Sequence, residues 1–411
     1  MKITLLGGCG AVGSVAAATL VKSNLFDEIF IADWDEERGI KVVEGLKSDK
    51  VKFCQFDANS CESLRDFIKG SRVVLNAIGP FYRYGANILR TVLEEGISYV
   101  DVCDDFDATE KELELNPLAR EKNVTALIGM GSSPGLANVL VKFTAQYLLD
   151  RVDVVDIYHA HGGEAYEGPA VVKHRIHSMS IDIPVFLDGE FKKVKLFEES
   201  GRALEEVSEF KGVGEFSVYA YPHPETITLP GYLKGVKRVT NLGLVLPPAY
   251  AELIKGMVRL GITGEQPIEL INGMSLAPID FAVSFILHER ERLVNEFGLT
   301  EPVGCLKIVV KGVKDGGNEE YIFSLTSKGK GMGEGTGIPL ALGGILMATD
   351  KIKEKGVLPP EGCVEPLDIL KLLPEALGAG KGMPLYLEHI DRNGVKEEMD
   401  PLQILSRFGL M

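Results

Sequence analysis

Ile3-Thr4-Leu5-Leu6-Gly7-Gly8-Cys9-Gly10-Ala11-Val12-Gly13 is the stretch that decides the fold of this chain. An apolar strand runs into a glycine turn, and the turn opens an alanine-rich helix. Gly8, Gly10 and Gly13 fill the G-x-G-x-x-G spacing: the first for a tight turn, the second for close approach to a pyrophosphate, the third for packing helix on strand. The free N–H groups at the helix start then hold the phosphates. Glu28-Ile29-Phe30-Ile31-Ala32 reads as a second strand ending on Asp33, the position from which an acid hydrogen-bonds the adenosine ribose. The pattern predicts a nicotinamide dinucleotide held by Gly8, Cys9, Gly10, Ala11, Val12, Gly13 and Asp33. Asp33 favours NAD, and Arg38, five residues on, leaves NADP open.

Strand and helix patterns alternate through the first 150 residues, which specifies a doubly wound parallel sheet. Strands are expected at Val51 to Gln55, Val73 to Ile78, Tyr99 to Cys103 and Thr125 to Gly129. Ligands of such sheets lie beyond the carboxyl ends of the strands. That places Asp57, Ala58, Asn76, Ala77, Gly79 and Pro80 along the cofactor. From about Arg151 the pattern changes to strands at Val152 to His161, Val171 to Ser180, Val194 to Phe197, Glu215 to Tyr221, Gly304 to Gly312 and Glu319 to Lys328. Helices are expected at Ala249 to Leu260 and Phe281 to Phe297. The expected α/β architecture is an N-terminal Rossmann domain (1–135), a mixed α/β domain with a mostly antiparallel sheet (136–330), and a C-terminal helix and tail (331–411). The tail is read as returning to the Rossmann domain and wrapping its surface. Gly331 to Gly337, with Met332, read as a flexible loop or lid before a helix from Ile338 to Lys355.

Length and composition bound the function. The 411 residues suggest two or three domains, and 45% hydrophobic with 25% charged residues is a globular balance. With 44 basic against 59 acidic residues the net charge is −15, which argues against nucleic acid or an anionic membrane as partner. The six cysteines are scattered with no C-x-x-C, so no disulfide framework or zinc site is indicated. The start of the chain reads as a strand, not a signal peptide, and the expectation is a cytoplasmic protein.

Two later stretches carry a resemblance: Tyr99-Val100-Asp101-Val102-Cys103-Asp104-Asp105, and Gly129-Met130-Gly131-Ser132-Ser133-Pro134-Gly135-Leu136-Ala137-Asn138. With Leu229-Pro230-Gly231-Tyr232 and Gly335-Thr336-Gly337-Ile338-Pro339, they resemble the saccharopine dehydrogenase family. That family includes saccharopine reductase, lysine 6-dehydrogenase and carboxynorspermidine synthase. The resemblance implies NAD(P)-dependent hydride transfer at a carbon–nitrogen bond of an amino-acid-derived or polyamine substrate, and a homodimer. Saccharopine reductase carries an aspartate where this chain has Ser133, a departure that bears on the substrate.

Hydride transfer at C–N needs a group that handles the amine proton. Candidates are Asp104, Asp105, His177 and Cys103. Asp105 or Asp107 equally suits a helix N-cap, and Cys103 suits a small core position. Ser132, Ser133, Gly135 and Asn138 flank a helix start where free N–H groups would bind a substrate carboxylate. Arg175 would pair with such a carboxylate. His159, His161, His174 and His177 lack carboxylates at metal-ligand spacing such as H-E-x-x-H, so no metal is expected. A non-catalytic dinucleotide sensor and a carbonyl reductase are the alternative functions. Against the latter, no Y-x-x-x-K follows the fourth strand of the first domain.

Overall fold

The computed structural model describes residues 1–164, 167–329, 331–377 and 385–408. The N-terminal domain alternates as read: β1 (Lys2–Leu6), α1 (Ala11–Lys22), β2 (Glu28–Asp33), α2 (Glu36–Leu46), β3 (Val51–Gln55), α3 (Cys61–Ile68), β4 (Val73–Asn76), α4 (Phe81–Glu94), β5 (Ser98–Asp101), α5 (Phe106–Leu113), α6 (Asn116–Glu121) and β6 (Thr125–Leu127). All strands are parallel. Leu5 pairs with both Ile31 and Leu75, so β1 lies at the centre and every strand ends at the same edge. Burial of both faces explains the continuous apolar runs in the sequence.

The chain then builds the second domain: α7 (Leu136–Phe143), β7 (Arg151–Gly162), α8 (Pro169–Ser180), β8 (Ile183–Leu187), β9 (Glu190–Val194), α9 (Glu199–Arg202), β10 (Glu206–Phe210), β11 (Gly214–Ala220), α10 (Glu225–Thr228), β12 (Arg238–Leu246), α11 (Pro248–Arg259), the short pair β13 (Ile268–Glu269) and β14 (Ser275–Leu276), α12 (Pro278–Phe297), β15 (Val303–Lys314) and β16 (Gly317–Lys328). Its large sheet is mixed. β12 and β7 run parallel, and β15 pairs antiparallel with β7 and β16 along nearly its full length.

Four expectations are corrected here. The segment expected as a strand at Val171 to Ser180 is the helix α8: Val172, Ile176 and Met179 are buried at spacings of four and three, which is one helical face, and Pro169 opens it at the first turn. The strand expected at Val194 to Phe197 ends at Val194. The sequence reading missed β12, whose continuous apolar run Leu242 to Leu246 is buried in the middle of the sheet. Finally, Met332 to Gly337 is no loop. It opens α13 (Met332–Ala348), which packs so closely on α1 that a Cβ on Gly333 would lie 2.5 Å from the carbonyl oxygen of Ala11, and one on Gly337 2.4 Å from that of Val12.

The remaining chain divides between the two domains. β17 (Gly356–Leu358) adds a seventh parallel strand beside β6, and α14 (Pro360–Cys363) and α15 (Pro366–Leu377) follow it. β18 (Leu385–Ile390) and β19 (Lys396–Met399) then join the second sheet at β16, so the tail does not end on the Rossmann domain. α16 (Pro401–Arg407) closes the described chain. Because the two sheets exchange segments in this way, β-strand ends of the first domain face α8 and α10 of the second. Among the described residues no helix is long and apolar enough to cross a membrane.

Candidate active site

The glycine turn fits a dinucleotide. Gly7, not Gly8, adopts the left-handed backbone (φ 73°), while Gly8 is required because a Cβ there would sit 2.3 Å from Ile31. Gly13 is closed by backbone, with 2.2 Å from its would-be Cβ to the carbonyl of Gly7, whereas the space at Gly10 is open. An open face at the second fingerprint glycine is where pyrophosphate approaches. Gly10 caps α1 without any side-chain hydrogen bond, leaving its first N–H groups for the phosphates. Ala11 and Val12 form that first turn. Asp33 is 8% exposed, and its Oδ2 accepts the N–H of Cys9 at 3.0 Å, which aims the carboxylate across the turn. We expect Asp33→Ala to weaken NADH by at least about tenfold and NADPH much less, because the lost hydrogen bonds are those to the unmodified ribose. Equal losses, read by titration, would refute that role. Trp34, the chain's sole tryptophan and 74% exposed, follows directly and supplies the fluorescence signal.

At the carboxyl ends of β3 to β5 the side chains are already engaged. Asp57 accepts the N–H of Asn59 at 2.9 Å, beside Ala58. Asn76 is fully buried, donating to the Tyr99 hydroxyl at 2.9 Å and accepting the Ile78 N–H at 3.0 Å. Asn76 therefore shapes the Ala77 to Pro80 loop and leaves only backbone for a ligand. Asp101, which the sequence reading did not single out, accepts the N–H groups of Gly129 (2.7 Å) and Cys103 (3.0 Å) and so pins two strand-end loops together. Burial pushes its carboxyl up to about 6. Cys103 is corrected: it is fully buried, its Sγ contacts the carbonyl of Asp105 and the hydroxyl of Thr109, and burial beside Glu112 holds the thiol well above its ordinary range. It is a core residue and no candidate for catalysis.

Asp104 and Asp105 meet α8 across the interdomain cleft. His174 Nδ1 lies 2.8 Å from Asp105 Oδ1 and Nε2 lies 3.7 Å from Asp104 Oδ2. Asp105 also accepts the backbone N–H of Tyr82 at 3.0 Å, and no N-cap bond of its side chain to α5 forms. One turn on, His177 Nε2 is 3.2 Å from Asp107 and its ring stacks on Tyr82 at 4.2 Å. Burial lowers the His174 pKa, but the two aspartates outweigh it and hold the imidazole well above its ordinary range, while His174 keeps Asp105 below its own despite burial. These contacts span 69 and 70 residues, so a search for carboxylates at local metal spacing missed them. Asp104, Asp105 and His174, and likewise Asp105, Asp107 and His177, bring possible ligand atoms within 4.8 Å of one another. In the first of these groups His174 Nδ1 is hydrogen-bonded to Asp105, while Nε2 lies 3.7 Å from Asp104 and 3.5 Å from the Ser178 hydroxyl.

The segment before α7 is also corrected. Its N–H groups are consumed internally: Gly131 by Pro134, Leu136 by Gly131, Ala137 by Ser132, and Gly135 by the Asn138 side chain at 2.9 Å. Of the residues read as binding a substrate carboxylate there, Gly135 and Asn138 are thus taken up within the protein. Asn138 is fully buried and donates to Glu361 at 2.8 Å, so it is structural. Gly135 is at φ 128°, and a Cβ there would lie 1.9 Å from the Gly131 carbonyl. Arg175 is 3% exposed and tied to Glu167 at 2.7 Å, which Arg290 also binds at 2.8 Å; it is not available to a substrate carboxylate. Ser133 instead donates its hydroxyl to Glu225 of α10, and His223 donates Nδ1–H to the other oxygen of Glu225 at 2.8 Å. An aspartate at position 133 would face that carboxylate at hydrogen-bond distance. Serine there goes with a glutamate supplied from the other domain, a pair invisible in the sequence because 92 residues separate them.

Comparison with known proteins agrees with this geometry. Residues 3–127 match the saccharopine dehydrogenase NADP binding domain family. The chain is 23% identical to carboxyaminopropylagmatine dehydrogenase of Synechocystis sp., over 87% of this chain and 92% of that one. It is 24% identical to carboxynorspermidine synthase of Vibrio cholerae, over 75% and 77%. Among solved structures it matches saccharopine dehydrogenase (L-Glu forming) of Saccharomyces cerevisiae with a TM-score of 0.65 and 15% identity, covering 95% of this chain and 99% of that one. The glycine turn and the match over residues 3–127 identify the N-terminal domain as an NAD(P)-binding domain of the saccharopine dehydrogenase type, in an oxidoreductase similar along most of its length to these dehydrogenases.

Proposed function

We propose that this enzyme transfers hydride at a C–N bond of a cationic diamine or polyamine, joining the amine to, or releasing it from, a carbonyl compound. The observation that carries this reading is the charge of the cleft. Asp104, Asp105 and Asp107 face it, His174 offsets one charge, and Glu167 offsets one of the two buried guanidiniums of Arg175 and Arg290, which leaves these groups at a net charge of about −1. Such a cleft attracts an ammonium chain and repels a substrate bearing several carboxylates. Carboxynorspermidine synthase and carboxyaminopropylagmatine dehydrogenase, by their names, handle molecules of the polyamine kind.

When bound, the nicotinamide accepts or supplies the hydride. The protein's own residues position the other partners. The first turn of α1 and Asp33 hold the dinucleotide, and the loops after β4 and β5 bring its reactive end to the cleft. Asp104, whose side chain is 38% exposed, anchors the substrate ammonium and the buried Asp105 adds its charge from behind, with Tyr82 and His177 at the rim. Asp33 favours NAD over NADP in this reading.

The test is oxidation of NADH and NADPH by the purified protein with propane-1,3-diamine, butane-1,4-diamine or lysine, each paired with succinic semialdehyde, pyruvate or 2-oxoglutarate. Turnover with the diamines, well above lysine with 2-oxoglutarate, is expected. Preference for the diacid-forming pair would reverse the substrate assignment, and cofactor binding without turnover on any amine would favour the sensor alternative.

A further inference from the structure

We propose that His223, oriented by Glu225 and Ser133, is the acid–base that moves the proton when water adds to, or leaves, the C=N carbon. This rests on the C–N reading above and assigns a residue pair outside the Asp104–Asp105–His174 cluster. The two groups differ in kind. In the cluster both ring nitrogens of His174 face carboxylates, so the imidazolium is locked and serves as fixed charge. In the second group only Nδ1 of His223 is engaged, by Glu225 Oε2, and Nε2 has no partner among the described residues. The His223 side chain keeps 9% of its surface exposed. A carboxylate fixing one imidazole nitrogen while the other faces the reaction is the arrangement that defines tautomer and direction in acid–base catalysis.

The surroundings fit the task. Glu225 is fully buried, yet His223 and the Ser133 hydroxyl overcome burial and hold it below its ordinary range, so it stays an acceptor. His223 packs near the rings of His159 and Tyr221, each at 5.8 Å, and lies within electrostatic reach of Asp104. It therefore sits beside the anchored ammonium. His159 rests on Gly243, where a Cβ would lie 2.3 Å from its ring.

The step balances without an external reagent. Water oxygen bonds to the carbon of the protonated C=N group, the π pair moves onto nitrogen, and the released water proton passes to His223 Nε2. His223 returns that proton to nitrogen, making it an ammonium; the C–N bond then breaks, its pair leaving with the neutral amine, as the hydroxyl proton passes to His223 and a carbonyl forms. His223 finally hands that proton to the departed amine. Condensation is the reverse.

The experiment reads imine formation in the full chain without nicotinamide: propane-1,3-diamine and succinic semialdehyde are mixed with protein, and the imine is trapped by cyanoborohydride. The unchanged protein is expected to accelerate trapping. His223→Gln and Glu225→Gln should each lose about 100-fold of that acceleration, with Trp34 quenching by NADH and the melting temperature retained. Added imidazole should restore part of the rate to His223→Ala, which a structural role would not do. Trapping as fast in His223→Gln and Glu225→Gln as in the unchanged protein would overturn the assignment, as would an unchanged protein with no effect on trapping. Accelerated trapping with no NADH or NADPH oxidation on any pair would break the redox reading and leave this assignment standing.

Discussion

Gly10→Val is expected to lower NADH affinity by about 1000-fold, roughly 4 kcal/mol, while leaving the melting temperature nearly unchanged. The argument is geometric. Gly10 has φ −70° and ψ 172°, an extended backbone that any residue adopts, and the nearest atom to its would-be Cβ, the carbonyl oxygen of Gly7, is 3.4 Å away. The protein itself therefore has room for the side chain. The space that valine fills is the one through which a pyrophosphate reaches the N–H groups of α1. Gly13→Ala is the contrasting variant. Its Cβ would lie 2.2 Å from the Gly7 carbonyl and 2.7 Å from Gly8 Cα, so strand and helix must separate, a loss of about 1–3 kcal/mol in stability. Titration through Trp34 and a thermal melt separate the two effects. Full NADH affinity in Gly10→Val would remove the pyrophosphate from this turn.

These two glycines also show what the sequence made legible. The glycine spacing and the acid at the end of β2 are local patterns, set within 33 residues, and the structure places them as one unit through the Cys9 N–H to Asp33 bond. The alternation of β1 to β6 with helices was legible for the same reason. What failed was non-local. His-Arg-Ile-His in α8 alternates like a strand over four residues, and only the buried face at Val172, Ile176 and Met179 separates helix from strand. Arg175, Asn138 and Cys103 carry suitable chemistry but are consumed by Glu167, Glu361 and the interior, which no spacing reveals. Conversely Glu225 and His223 looked ordinary, flanking Pro224 in a turn. Their meaning comes from Ser133, reached only because the two sheets exchange segments.

The largest effect on the substrate side is expected at Asp105. Asp105→Asn should lower kcat/KM for a diamine about 100-fold relative to the unchanged enzyme at pH 6, and far less at pH 8.5. In the native cluster His174, raised above its ordinary 6.5, keeps its proton through neutral pH, so its stabilising pairing is present below 6.5 and lost only as pH rises through the raised value. Asp105, lowered below 3.8, contributes above that value and loses its share as pH falls through the lowered one. Burial raises the Asp104 carboxyl above its ordinary range, so at neutral pH the cluster holds two carboxylates and one imidazolium, a net charge of about −1, and loses the Asp104 charge first as pH falls. Asparagine retains an oxygen for the Tyr82 N–H but removes one charge, and His174 is left with Asp104 at 3.7 Å. Its pKa then falls from the raised value, because burial is offset by one carboxylate instead of two. While His174 keeps its proton the remaining pair sums to zero and an ammonium gains little; once it loses the proton the −1 of Asp104 returns. The free-amine fraction of the substrate changes equally for both enzymes, so the ratio of their profiles reports the cluster alone. A ratio constant with pH, with NADH binding intact, would show that the ammonium is held elsewhere, and Asp107 beside His177 would become the next residue to change.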